Sequence, residues 1–337
     1  MERATMKAIG HVAGLAVLVG LSAGAEVASA QIRVNLLQVG AVLPLSIAQE
    51  QGFFAKHGVE VRLVLVPGPE VPRLTAANPL GYIGAPGVLL RAAEGTDPKI
   101  VGSFSTDRVT GQLVARPDIK RPEELRGKRV GVRALGAGLW IQTILALEHL
   151  GLDPKRDNIS TLAIGDPLQI VRALEAGTID AAVLPVAHSR RLNAKGFSVL
   201  LDLDPAQIHV PVNTLAVTAS YLQQSPDVVE KVVVALIESI AFGVSPANKP
   251  AVLNTITRTF QVTDPAVAEE SYRGFLRAAV RTPYPSVDRL RDMQRVMARH
   301  DPKVLMVKVE DLVDDRLVRK LDEGGVVDRL YSTHGVK

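Results

Sequence analysis

One order of elements is written into this chain twice, and that repetition limits its fold more than any other feature. The first pass runs strand ("RVNLLQV", 33–39), loop, helix ("PLSIAQEQGFFAKH", 44–57), Gly58, strand ("VEVRLVLV", 59–66), the loop Pro67-Gly68-Pro69-Glu70, a short helix over 71–77, and "LGYIGAP" (80–86). The second runs strand ("KRVGVRA", 128–134), a loop with Gly136 and Gly138, helix ("LWIQTILALEHL", 139–150), Gly151, strand ("ISTLAI", 159–164), Gly165-Asp166-Pro167, helix ("LQIVRALEA", 168–176), Gly177 and "TIDAAVLP" (178–185).

The second pass is the clearer one. Leu139, Ile141, Ile144, Leu145 and Leu147 recur at helical spacing, and Gly151 and Gly177 stand where a helix C-cap wants positive φ. Asp166 is an N-cap followed by proline at the first helical position. The strands are short β-branched runs, as in sheets buried on both faces. Strand, helix, strand, helix in this order implies parallel βαβ units with right-handed crossovers. The expected fold class is therefore α/β: two α/β lobes with mostly parallel sheets.

Two extended stretches flank the second lobe: "GQLVARP" (111–117), inside the connecting segment 104–130, and "HVPVNTLAVTAS" (209–220). They read as two hinge strands crossing between lobes, with motion absorbed near Gln112 to Arg116 and Pro211 to Ala216. The expected division is lobe 1 over 31–113, lobe 2 over 114–212, and a return to lobe 1 over 213–337. The return is helical: 226–242 N-capped by Ser225, 265–280, 286–300, and the amphipathic "VEDLVDDRLVRKLDE" (309–323), packed on lobe 1.

Residues 1–30 read as a secretory signal peptide and stand outside this fold. Arg3 and Lys7 precede the apolar "VAGLAVLVGL" (12–21), and small residues end at Ala28-Ser29-Ala30. The apolar run is too short to span a bilayer, so a periplasmic protein with no stable membrane insertion is expected. Removing the leader takes out Glu2, Arg3, Lys7 and Glu26 and leaves the formal charge at +4. The basic residues form no stripe and only 4% of residues are aromatic, which argues against nucleic acid as a partner. No cysteine occurs, which excludes disulfides and thiolate metal sites. The seven histidines show no HExxH spacing and there is no GxSxG elbow, so no metal, cofactor or catalytic residue is expected.

Several phrases together resemble the solute-binding proteins of ABC importers of the nitrate/sulfonate/taurine type. They are "PLSIAQEQGFFAKHGVEVRLV" (44–64), "LVARPDIKRPEELRGKRVGV" (113–132), "LEHLGLDPKRDNISTL" (147–162), "ALEAGTIDAAVL" (173–184) and "DLVDDRLVRKLDEGGVVDRLY" (311–331), in family order over almost the whole chain after residue 30. The resemblance implies the type II periplasmic-binding-protein fold, a small-molecule ligand held in an interlobe cleft, and a membrane permease and ATPase as partners, with the protein itself a monomer and no enzyme. Two other readings stand behind it: a ligand-binding partner of a signalling receptor, and an enzyme on the same fold acting on a pyrimidine-like or aromatic substrate.

The family holds its ligand on loops after the strands, where helix N-termini offer free N–H groups. Carried over, this points to Gly40, Ala41, Leu43, Pro44, Gly68, Glu70, Ala85 and Pro86 in lobe 1. In lobe 2 it points to Gly136, Ala137, Gly138, Trp140, Asp166, Pro185 and His188, with Asn213 at the return crossing. The chain departs from the family where relatives carry Asp in "GxIDFG": here the stretch is Pro79 to Gly84, without an acid. The loops around Ala41 and Trp140 are also apolar, which favours a small organic anion (sulfonate or carboxylate) or aromatic solute over a bare inorganic anion.

Each candidate has a plainer reading. Trp140 is either an aromatic wall for stacking or a core residue of its helix. Gly136 and Gly138 admit a ligand to the backbone or only make a turn. His188 is a pocket residue or a surface one. Arg108 and Arg133 are pairing groups for an acid or solvated charges. Glu70 is a partner for a cation or merely a helix start, and Phe53-Phe54 is core packing. Gly136-x-Gly138-x-x-Ile141 after a strand imitates a dinucleotide fingerprint but lacks its third glycine.

Overall fold

The computed structural model describes residues 32–38, 42–66, 70–106, 108, 111–206 and 209–337. The expected signal peptide, with Gly40, Ala41 and Gly68, lies outside the described residues. Among those described, ten strands form two five-stranded sheets. The strands are β1 (Ile32–Gln38), β2 (Val59–Leu65), β3 (Leu80–Ile83), β4 (Pro98–Ser103), β5 (Gln112–Ala115), β6 (Arg129–Val132), β7 (Ser160–Ala163), β8 (Ala181–Leu184), β9 (Ser198–Asp202) and β10 (Thr214–Thr218).

The first sheet has the order β2-β1-β3-β10-β4 and the second β7-β6-β8-β5-β9, one topology used twice. β1 pairs parallel with β2 and β3, as β6 does with β7 and β8. Each sheet then takes one antiparallel strand from the far side of the chain, β10 in the first and β5 in the second. Even the irregularities correspond: β10 shifts register against β4 at Leu215/Ala216, and β5 against β9 at Leu113/Val114.

Gln112 and Leu113 pair inside the second sheet, and Thr214 to Ala216 inside the first. The segments read from sequence as hinges are thus largely locked in ladders, and an isolated antiparallel bridge between Arg108 and His209 lies between them along the two crossings.

Local rules explain most elements. Gly151 and Gly177 have φ of 73° and 70° after their helices, and Pro167 opens the helix Pro167–Glu175 behind Asp166. The helix expected over 44–57 is broken at Gly52, whose φ of 69° separates Leu43–Glu50 from Phe53–Lys56. No helix forms over 71–77, where Pro72 follows Val71 and Arg91 seizes the carbonyls of Val71 and Pro72. The stretch 309–323 is a 3-10 turn over Val309–Leu312 followed by a separate helix Arg316–Glu323.

The 19-residue helix Pro226–Val244 forms the centre of the main core. Val229, Val233, Leu236 and Ile240 pack with Leu36, Leu45, Ile47 and Phe54 beneath the first sheet. A second core covers the other face and runs on into the second lobe, joining Val88, Leu89 and Ile100 to Ile141, Ile144 and Val183. The segment around Val287–Met297 belongs to it, so the C-terminal region also touches lobe 2, through Arg299 and Glu148 (2.5 Å). No helix among the described residues is long and apolar enough to cross a membrane.

Candidate functional site

The residues that follow the parallel strands of one lobe meet those of the other. Gly84, after β3, lies so close to the second lobe that a Cβ there would stand 3.7 Å from the Cα of Gly138 and 3.4 Å from the carbonyl oxygen of Val212. Strand end, helix start and return crossing therefore converge at one place, in van der Waals reach of one another.

The start of the helix Ala85–Ala93 is already satisfied. The Ala85 amide donates to the Pro211 carbonyl at 2.8 Å, Pro86 has no N–H, and Gly87 donates to Gly84. Ala85 and Pro86 thus anchor the return crossing. Leu43 is buried and Pro44 half-buried at the start of Leu43–Glu50.

Gly136 and Gly138 admit protein. A Cβ on Gly136 would lie 2.8 Å from Cδ2 of Leu90 in lobe 1, and Gly136 has φ of 74°. Leu90, Val71, Ala134 and Ala137 form a small apolar contact between the lobes. Trp140 is 7% exposed and sits edge-to-face on His300 with ring centroids 5.1 Å apart. That placement agrees with the core reading of Trp140, because its helix packs on the C-terminal segment.

Arg133, at the end of β6, makes a buried polar contact between the lobes. Its side chain is 5% exposed, donates through Nη1 to the Glu70 carbonyl (2.8 Å) and through Nη2 to the Val66 carbonyl (3.0 Å), and lies 3.6 Å from Asp166 Oδ1. Burial presses the guanidinium pKa down and Asp166 works against that. The Glu70 side chain is exposed, so Glu70 contributes its backbone here. Asp166 also caps its helix from the backbone side, its amide donating to Gln169 Oε1 at 2.8 Å.

Pro185 is exposed and His188 half-buried at the start of the helix Val186–Asn193. Burial, with Arg191 nearby, lowers the His188 pKa and keeps the imidazole neutral near pH 7. Asn213 donates to Ser105 Oγ at 3.0 Å, and its carbonyl receives the Phe104 amide.

Sequence reasoning passed over several polar groups at these strand ends. Ser189 donates to Gln112 Oε1 (2.5 Å) and Gln112 to Asp202 (3.1 Å), tying the His188 helix to β5. The hydroxyls of Tyr82 and Ser103 are buried without a hydrogen-bond partner among the described residues. Tyr82 occupies the stretch where the family's acid is missing, which was the one signal available for it. Among the described residues no group of three or more His, Cys, Asp or Glu is arranged to hold a metal ion.

Comparison with solved structures finds the same architecture at low sequence identity. The alkanesulfonate-binding protein SsuA from Xanthomonas axonopodis pv. citri, bound to MOPS, superposes with a TM-score of 0.70 at 19% identity over 84% of this chain and 98% of that one. The periplasmic nitrate-binding protein NrtA from Synechocystis PCC 6803 gives 0.71 at 14% identity over 87% and 88%. A cysteine-to-serine mutant of DszB in complex with biphenyl-2-sulfinic acid gives 0.62 at 18% identity over 87% and 99%. A search of curated protein sequences found no significant match. A family model described as "NMT1/THI5 like" matches residues 40–248, well over half of the chain. The chain therefore has the periplasmic-binding-protein-like fold and belongs to the NMT1/THI5-like family.

Proposed function

We propose that this protein is the solute-binding component of an ABC importer, acting in the periplasm after loss of residues 1–30 and delivering its solute to a membrane permease and ATPase. The observation that supports the reading is the meeting of Gly84, Gly138 and Val212: the strand ends of two sheets and a return crossing converge, the arrangement that hinged lobes closing on a solute require. The fold shared with sulfonate- and nitrate-binding proteins supports it.

The solute is a small organic anion, a sulfonate or carboxylate, or an aromatic compound. Apolar loops and neutral donors such as Asn213 and Ser105 favour such a molecule over a bare ion. Binding proceeds without bond-making, and a cysteine-dependent reaction is outside the means of a chain with no cysteine.

A thermal-shift screen of alkanesulfonates, carboxylates, aromatic acids and nitrate tests this. A solute at a hundred times its dissociation constant adds about 2.7 kcal/mol to stability. Absence of any stabilising solute, or turnover of one, overturns the reading.

A further inference from the structure

We propose that Arg133 is a latch holding the mouth of the cleft shut, and not the counter-charge of a bound anion; this rests on the reading of the molecule as two lobes that open about their crossings. The sheet orders locate hinge and mouth. The crossings leave β4 and β9 and enter β5 and β10, which lie together at one edge of each sheet. β2 and β7 form the opposite edges. Val66 and Glu70 follow β2, Asp166 follows β7, and Arg133 follows β6 beside it. Rotation about the crossings displaces the far edges most, so the two bonds from Arg133 to Val66 and Glu70 break as the lobes part.

Both terminal nitrogens of the guanidinium are engaged while the lobes touch. Nη1 and Nη2 hold backbone carbonyls of lobe 1, while Nε, which has no hydrogen-bond partner among the described residues, faces the Asp166 carboxylate at 3.6 Å as a compensating charge. An arriving anion would have to displace these carbonyls and face Asp166. The small residues around it serve the same contact: Gly136 leaves room for Leu90, and Ala134 and Ala137 for Val71. The latch thus favours closure without solute. Apparent affinity scales with the fraction of molecules able to close, so the latch tightens binding of every solute the cleft accepts.

The chain has no cysteine, which makes a labelled pair simple to introduce. Arg62→Cys on β2 and Arg172→Cys on the helix after β7, both exposed, place spin labels at the two mouth edges. Distance distributions are measured by pulsed electron resonance on the full mature chain without solute. With Arg133 present the short distance of touching lobes dominates. Arg133→Gln moves the open-to-closed ratio by about tenfold toward the long distance, since two charge-assisted bonds are lost. Arg133→Lys, which keeps the charge beside Asp166 but does not fork to two carbonyls, moves it the same way and serves if the glutamine variant does not fold by circular dichroism. Folded variants with the parent distribution, or a parent already long, overturn the latch. If the thermal-shift screen finds a binder while the variants keep the parent distribution, the latch alone fails. If it finds none but the variants open, the solute reading fails and the latch stands.

Discussion

The carboxylate of Glu238, wholly buried on the helix Pro226–Val244, receives Nε2 of His57 at 2.5 Å from the end of the helical segment Phe53–Lys56. Lys56 donates at 2.5 Å to its other oxygen, which His334 of the last helical turn also reaches at 3.2 Å. One buried acid therefore ties together parts of lobe 1 that are far apart in sequence.

Burial alone would raise the Glu238 pKa, but hydrogen bonds from His57, Lys56 and His334 outweigh it and lower the value to about 2 from an ordinary 4.5. The folded value is depressed, so the carboxylate's contribution is complete above pH 4.5 and is lost as pH falls toward 2. Glu238→Ala, which leaves three donors without their acceptor, is expected to cost about 3 kcal/mol at pH 7 and to remove this acid-sensitive component. Urea unfolding of both proteins at several pH values measures it; a variant as stable as the parent rejects the staple.

Asp180, in the stretch "GTIDAAVL" that resembles the family, joins strands through Arg129 and also accepts from Arg116 Nη1 at 3.5 Å. It receives the Arg129 backbone amide (2.9 Å) and is gripped by Nε and Nη2 of the same residue, each at 2.9 Å. The bonds from Arg129 hold its pKa below the ordinary value against burial. Asp180→Asn is expected to cost about 2 kcal/mol, seen as a lower urea midpoint, and to leave solute affinity unchanged in calorimetry.

Gly111 precedes β5 with φ of 131°, and a Cβ there would lie 2.7 Å from the Leu184 carbonyl oxygen. Gly111→Ala combines backbone strain with a clash against a main-chain atom. A loss of about 2–3 kcal/mol is expected in thermal or urea unfolding. An alanine variant of parental stability would show that the crossing yields freely.

Trp140, the single tryptophan, reports on the core through its contact with His300. Its emission should be that of a buried indole and stay unchanged when a stabilising solute is added; quenching by the solute would place the ring in the cleft. Trp140→Ala should cost about 3–5 kcal/mol through the cavity it leaves.

The repeat of strand, helix and glycine was readable because its causes are local. Helical spacing in 139–150, the cap at Asp166-Pro167 and the glycines after helices act within a few residues of one another, and the structure keeps them all. The break at Gly52 and the missing helix over 71–77 escaped, since the second depends on Arg91 gripping carbonyls some twenty positions away. The site was less legible for the same reason. Arg133 bonds to a carbonyl 67 residues distant and His57 to an acid 181 residues distant. Spacing along the chain says nothing about such partners. The two lobes and their parallel βαβ units were therefore determined by short-range pattern in the sequence, whereas the antiparallel insertion of β5 and β10 into the sheets was not. Which glycines face protein, which arginine is already committed and which acid is buried were decided only by tertiary packing, because burial and pairing depend on what the rest of the chain places opposite each side chain.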